Sequence, residues 1–180
     1  MSGIIIGLAG EMASGKTTVA EYLQKKYQAG KYRFSDILKN MLDEIYQENN
    51  RENLQTMSSI LRRAYGEDAL AKAIAKKVKN DRHKIVAIDG VRRLGDIKHL
   101  KKLDGFKLIY LDTSIRNSYN RIIKRNERID DQGKSYKEFE KDRGREAEQQ
   151  IKELKQYAGV VIDNNGTLED LYRQIDELVK

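Results

Sequence analysis

The chain has 180 residues, 35 % of them charged and 39 % hydrophobic, which suits one domain with a full α/β core and leaves no apolar run long enough for a membrane span. With no Cys it can form neither disulfides nor thiolate metal sites, and with no signal-peptide pattern at its start a cytoplasmic location is the expectation. The net charge of +7 fits a polyanionic partner, either a small ligand such as ATP or a nucleic acid.

In chain order, residues 3–9 read as a buried strand. They run into Gly10-Glu11-Met12-Ala13-Ser14-Gly15-Lys16-Thr17, which fits the phosphate-binding pattern G-x-x-x-x-G-K-[ST] at every fixed position. Residues 18–23 continue with apolar side chains at helical spacing. Strand, glycine loop and helix thus follow in the order that phosphate binding needs. Glycines let successive N–H groups turn toward phosphate oxygens, and the helix adds the positive end of its dipole. Gly10, Ala13, Ser14, Gly15, Lys16, Thr17 and Thr18 are the residues expected at the nucleotide. Lys16 should reach the β and γ phosphates, and the Thr17 hydroxyl should ligate Mg²⁺. The competing reading is a glycine-rich turn without a ligand.

Residues 31–35 form a short strand candidate, and Ser35 or Asp36 can cap a helix carrying Ile37, Leu38, Met41, Leu42 and Ile45. Helices over 54–65 and 67–79 are divided by Gly66, so residues 36–80 form a helical insertion between the second and third strands. Strands at 84–90, 106–111 and 159–163 alternate with a helix around Ile97, Leu100 and Leu103 and with helices over 114–127, 136–157 and 168–179. Five apolar strands alternating with helices predict a parallel sheet wrapped on both faces, with ligands at the carboxyl ends of the strands. The polar stretch from 128 reads as a flap.

Charges at those strand ends supply further candidates. Asp89 closes an apolar strand, where a carboxylate needs a cation nearby; it reads as a partner of Mg²⁺ through a bound water, or as a helix cap. Arg92 or Arg93 can fork onto an acceptor phosphate, the alternative being two solvated arginines. Arg121, Arg125 and Arg128 share a helix face, where like charges repel unless a polyphosphate or the transition state of phosphoryl transfer neutralises them. Glu127, Asp130 and Asp131 offer local neutralisation instead. Arg143 and Arg145 repeat the argument more weakly. Ser35, Asp36 and Lys39 sit at the mouth of the insertion, with Asp36 either a cap or a substrate contact. Arg62 and Arg63 either close over an acceptor phosphate or form a solvated pair. His83 and His99 lack metal-ligand company and read as surface residues.

Together the phosphate loop, the helical insertion, Ile88-Asp89-Gly90-Val91-Arg92 and the 121–128 run resemble small-molecule P-loop kinases. The group is that of nucleoside and deoxynucleoside monophosphate kinases, adenylate kinase and dephospho-CoA kinase, and the likeness covers nearly the whole chain. It implies a three-layer α/β/α P-loop fold in one domain over 1–180, with a five-stranded parallel sheet, an acceptor-binding insertion over 36–80 and a short lid over about 128–137. Residues 34–39 resemble the start of the acceptor helices, and 61–66 the segment that helps hold the acceptor. Asp89-Gly90-Val91-Arg92-Arg93 is similar to the Asp-Gly-x-x-Arg pattern of adenylate kinases without its Pro. Arg121 and Arg125 match arginines at the root of the lid, one stacking on adenine and one touching phosphates. Residues 161–169 resemble the end of dephospho-CoA kinases, whose last loop, here carrying Asn165, touches adenine.

The likeness implies ATP and Mg²⁺ as cofactors and a nucleotide-like small molecule as acceptor, with neither membrane nor nucleic acid as partner. Lys16, Asp89, Arg92 and Arg125 become the catalytic candidates. Ser35, Asp36, Lys39, Arg62, Arg92 and Arg93 become acceptor candidates, and Thr17 and Asp89 the metal pair. A hydroxyl acceptor, as in dephospho-CoA, would need a carboxylate nearby, for which Asp36 is the candidate. A nucleotide switch or an ATPase acting on nucleic acid is the alternative class, although no Asn-Lys-x-Asp segment is present to read guanine.

Overall fold

The computed structural model describes residues 3–125, 135–144 and 146–180, without the side chains of Arg51, Arg125 and residues 146–148. The first half comprises β1 (Ile4–Ala9), α1 (Lys16–Tyr27), β2 (Gly30–Arg33), α2 (Phe34–Glu44), α3 (Arg51–Tyr65), α4 (Ala69–Lys79) and β3 (Ile85–Val91). The second comprises α5 (Leu94–Ile97), β4 (Phe106–Asp112), α6 (Ile115–Arg125), α7 (Tyr136–Arg143), α8 (Glu146–Glu153), β5 (Val160–Asp163) and α9 (Leu168–Val179).

The strands form one five-stranded parallel sheet in the order β2-β3-β1-β4-β5, so the strand that feeds the phosphate loop lies at its centre. Alternate residues of each strand serve opposite faces, which divides the core in two. On one face Val86, Ile88, Leu108 and Tyr110 meet Phe34 and Leu38 of α2 and Ile74 of α4. On the other, Ile6, Leu8, Ile109 and Leu111 meet Val19 and Leu23 of α1 and Ile175 of α9. Each such side chain removed from water contributes roughly 1.5–3 kcal/mol. This is the three-layer α/β/α P-loop arrangement expected from the alternation of elements, with the helical insertion α2–α4 between β2 and β3.

Several edges differ from the sequence-based expectation. The second strand stops at Arg33, which is the N-cap of α2, so neither Ser35 nor Asp36 caps that helix; Asp36 lies exposed in its first turn. Phe34 is the reason: it is buried with Leu38 and Leu42 at a spacing of four, and that sets the helical phase ahead of the polar turn signal. The segment around Ile97 to Leu103 divides into α5 and a 3-10 turn at Leu100–Lys102. The expected long helix from 136 breaks at Gly144, where a missing side chain weakens a helix interior, into α7, α8 and a 3-10 turn at Leu154–Tyr157. Arg128, Arg145 and most of the expected lid fall outside the described residues.

His99 is also more than a surface residue. Half-buried, it lies 2.9 Å from Asp68, which Lys72 and Lys98 also approach at 3.1 Å. His99, Lys72 and Lys98 together hold the Asp68 carboxyl well below the usual carboxylate range and tie α4 to the segment after β3. His83 is exposed beside Asp81. Among the described residues no helix is long and apolar enough to cross a membrane.

Candidate active site

β1 leads into the loop at 10–15, and α1 begins directly behind it at Lys16. Gly15 is the N-cap of α1 with φ 95°, and a Cβ there would stand 2.5 Å from Asn164 Nδ2, so both backbone and space call for glycine. The same Asn164 amide donates to the Ser14 carbonyl at 2.8 Å, which pins the loop from the end of β5. Lys16 Nζ donates to the carbonyls of Gly10 and Glu11 at 2.6 and 2.8 Å. The first N–H groups of α1 have no intrahelical acceptor, and the helix dipole favours an anion at the same point.

Asp89 reaches this loop through a defect in β3. Gly90, at φ 90°, follows it where the β1–β3 register shifts between Leu8 and Ala9. Such a bulge bends and twists a strand, and the strand runs on to Val91 instead of stopping at Gly90. The Thr17 hydroxyl donates to Asp89 Oδ2 at 3.0 Å. Arg33 Nε donates to the same oxygen at 3.0 Å, and Arg33 Nη2 to Thr17 Oγ1 at 3.4 Å. A hydroxyl and a carboxylate are the hard oxygen donors that Mg²⁺ takes from a protein, with phosphates and water supplying the rest. The guanidinium resting on both oxygens marks a place that accepts a cation, so these residues fit the metal. Among the described residues no cluster of three His, Cys, Asp or Glu offers a metal cage.

Helix capping, the other role weighed for Asp89, belongs to Asp96. Its Oδ2 accepts from the backbone N–H groups of Arg92 and Arg93 at 3.0 and 3.1 Å. Its Oδ1 accepts from Arg62 Nη2 at 2.8 Å. Arg62, expected at an acceptor phosphate or in solvent, is buried, donates also to the Glu67 carbonyl, and holds α3 to the turn before α5. Arg93 is half-buried and paired with Glu67 at 3.2 Å, whereas Arg92 and Arg63 are exposed. Ser35 and Lys39 are half-buried in the first and second turns of α2. Between α2, α3 and α4 lies a pocket of about 320 Å³ walled by Ile37, Met41, Leu61, Tyr65 and Leu70, with Lys72 beside them.

On the far side of the loop Glu11 meets Arg143 of α7, both buried. Arg143 Nε donates to Oε1 at 3.1 Å and Nη2 to Oε2, with Lys152 Nζ 3.6 Å from Oε1. Arg121 of α6 donates through Nη2 to the Asn164 carbonyl at 2.8 Å. Its Nη1 is buried with no hydrogen-bond partner among the described residues, and burial lowers its pKa. Asn165, expected at adenine, accepts from the Ser114 N–H at 2.8 Å and ties the last loop to α6. The Arg125 side chain lies outside the described residues. Sequence reasoning missed Glu11, Arg33 and Asn164; the one available signal was an acid inside a glycine loop otherwise suited to anions.

A family model described as AAA domain matches residues 6–149. The UPF0200 protein of Methanoregula boonei is 28 % identical, covering 97 % of this chain and 95 % of its own length. The UPF0200 protein of Hyperthermus butylicus is 30 % identical over 69 % of this chain and 68 % of its own. Among solved structures, shikimate kinase from Bacteroides thetaiotaomicron superposes with a TM-score of 0.64 over 97 % of this chain and 98 % of that one, at 15 % identity. At that identity the likeness is one of fold.

Proposed function

The chain belongs to the AAA-domain family and to the UPF0200 proteins, and from that premise we propose that it transfers a phosphoryl group from ATP to a nucleotide-like small molecule, a nucleoside or deoxynucleoside monophosphate. The observation that carries this reading is the Thr17–Asp89 contact of 3.0 Å at the mouth of a Gly15–Lys16 phosphate loop. Lys16 and the backbone of Gly10, Ala13, Ser14, Gly15, Thr17 and Thr18 hold the phosphates, and Thr17 with Asp89 holds the metal. Mg²⁺, when bound there, would offset the charge of the phosphates.

The rest is positioning and charge. The buried Nη1 of Arg121, without a partner among the described residues, is suited to a phosphate oxygen at the loop. Arg92, exposed at the end of β3, and Arg93 beside it offer an acceptor phosphate its counter-charge. By its likeness to the arginines at the root of such a lid, Arg125 is assigned to the transferred phosphoryl group. Ser35 and Lys39 stand on the acceptor side, and the apolar pocket of the insertion suits the flat face of an acceptor ring. A monophosphate attacks through its own oxyanion and needs no base. A hydroxyl acceptor such as dephospho-CoA would use Asp36, which is exposed in the first turn of α2.

An ATP-consumption screen across nucleoside monophosphates, deoxynucleotides and dephospho-CoA tests the reading. Turnover with one class identifies the acceptor, and Asp36→Asn leaves monophosphate transfer intact. Lys16→Ala should weaken ATP binding by about 100-fold or more, since it removes a charge-assisted grip on two phosphates. Unchanged ATP affinity in that variant would sink the proposal.

A further inference from the structure

Asp89 Oδ2 receives two hydrogen bonds at once, from Thr17 Oγ1 and from Arg33 Nε, each at 3.0 Å. With Arg33 Nη2 3.4 Å from Thr17 Oγ1, the guanidinium covers both oxygens that suit the metal. Among the described residues this side chain makes no other hydrogen bond or ion pair. β2 is an outer strand of the sheet, and Arg33, although it is the N-cap of α2, makes no side-chain capping bond.

We propose that Arg33 is an internal stand-in for the metal, neutralising Asp89 and orienting Thr17 until a nucleotide arrives with Mg²⁺, and yielding its place when it does. The inference rests on the nucleotide reading above and adds to it a competition between a residue of the chain and the cation. Asp89, with a side chain only 5 % exposed, is costly to bury as a lone carboxylate, and a cation beside it offsets that cost. Arginine suits the task because its fork presents Nε and Nη2 to a carboxylate and a hydroxyl together. It is displaced by a divalent ion that Thr17 and Asp89 hold between them, whether Asp89 does so directly or through a water. Two hydrogen bonds already fill the acceptor positions of Oδ2, and like charges at contact distance repel strongly where water is scarce. The Arg33 side chain is 27 % exposed, so it can leave into solvent without unpacking the core, whereas Asp89 is held in a central part of the sheet.

Calorimetric titration with ATP, once with Mg²⁺ and once with EDTA, reads the competition without turnover. Arg33→Gln should bind Mg²⁺·ATP about tenfold more tightly, the scale of one charge-assisted hydrogen bond that need no longer be broken. Its affinity for ATP in EDTA should stay within about twofold of the parent. Arg33→Lys, which keeps the charge but loses the fork, should show a smaller rise of about threefold and carries the test if Arg33→Gln fails to fold. Equal shifts with and without metal would make Arg33 a phosphate ligand, and no shift would make it a structural residue; either overturns the stand-in. Lys16→Ala in the same titration separates the two claims. If it leaves ATP binding unchanged, the nucleotide reading fails and the stand-in with it. If it abolishes binding while the Arg33 variants leave the Mg²⁺-to-EDTA ratio unchanged, the stand-in alone fails.

Discussion

Two arginine–carboxylate pairs flank the phosphate loop, one on each side, and they are built differently. In Arg143–Glu11 the side chains are 8 % and 9 % exposed, and two N–H groups of the guanidinium meet two carboxylate oxygens. The helix that carries Arg143 also sinks Phe139 fully into the interior. In Arg33–Asp89 the acid is buried as deeply, but the arginine is 27 % exposed and spends one N–H on the carboxylate and another on a hydroxyl. A pair buried at both ends acts as a clamp, because breaking it leaves a charge with little access to water. A pair open at its cationic end can exchange that cation.

The widest gap between the two should appear in stability. Glu11→Gln removes the carboxylate that Arg143 meets in the interior and should cost about 3–5 kcal/mol, read as a fall in the urea midpoint, and adding Arg143→Met should return part of it. Arg33→Gln should cost about 1 kcal/mol in the same measurement, since Asp89 keeps the Thr17 hydroxyl and gains access to solvent where the guanidinium stood. Equal costs would erase the distinction between clamp and exchangeable pair.

A third cluster, between α1 and α9, extends the series to the surface and should show the smallest effect. Lys26 Nζ, then the hydroxyls of Tyr27 and Tyr22, bond Asp176 and hold its carboxyl down at about 2. An unfolded Asp titrates near 3.9, so the stability this carboxylate contributes is complete above about pH 4 and is lost as the pH falls through about 2. Asp176→Asn should flatten the acid limb of the urea midpoint within that window and lower the midpoint slightly at neutral pH, where the carboxylate's contribution is complete, so that the two proteins converge as the pH falls through about 2.

What was legible in the sequence, and what was not, follows the same division. The run from Gly10 to Thr17 carries its chemistry in a contiguous pattern, and Asp89 stands out as a charge ending an apolar run. The sheet was legible because its strands are apolar on both faces. Arg33, Glu11 and Asn164 were not, because each depends on a partner 56, 132 or 150 residues away along the chain. Arg62 shows the opposite failure. A charged residue on an amphipathic helix reads as solvated until the fold brings Asp96 against it. The early start of α2 had a local cause that the polar signal at Ser35-Asp36 masked: Phe34 belongs to the core.

The long reach of the supports around Gly15 has a consequence for how the molecule is made. Asn164 and Arg143 brace the glycine loop from 150 and 132 residues downstream. Ordering so distant a pair requires closing most of the chain into a loop, which is entropically expensive and slow. A nascent polypeptide therefore carries the whole glycine motif long before the residues that brace it, so ligand capture marks the folding of the segment that bears Arg143 and Asn164.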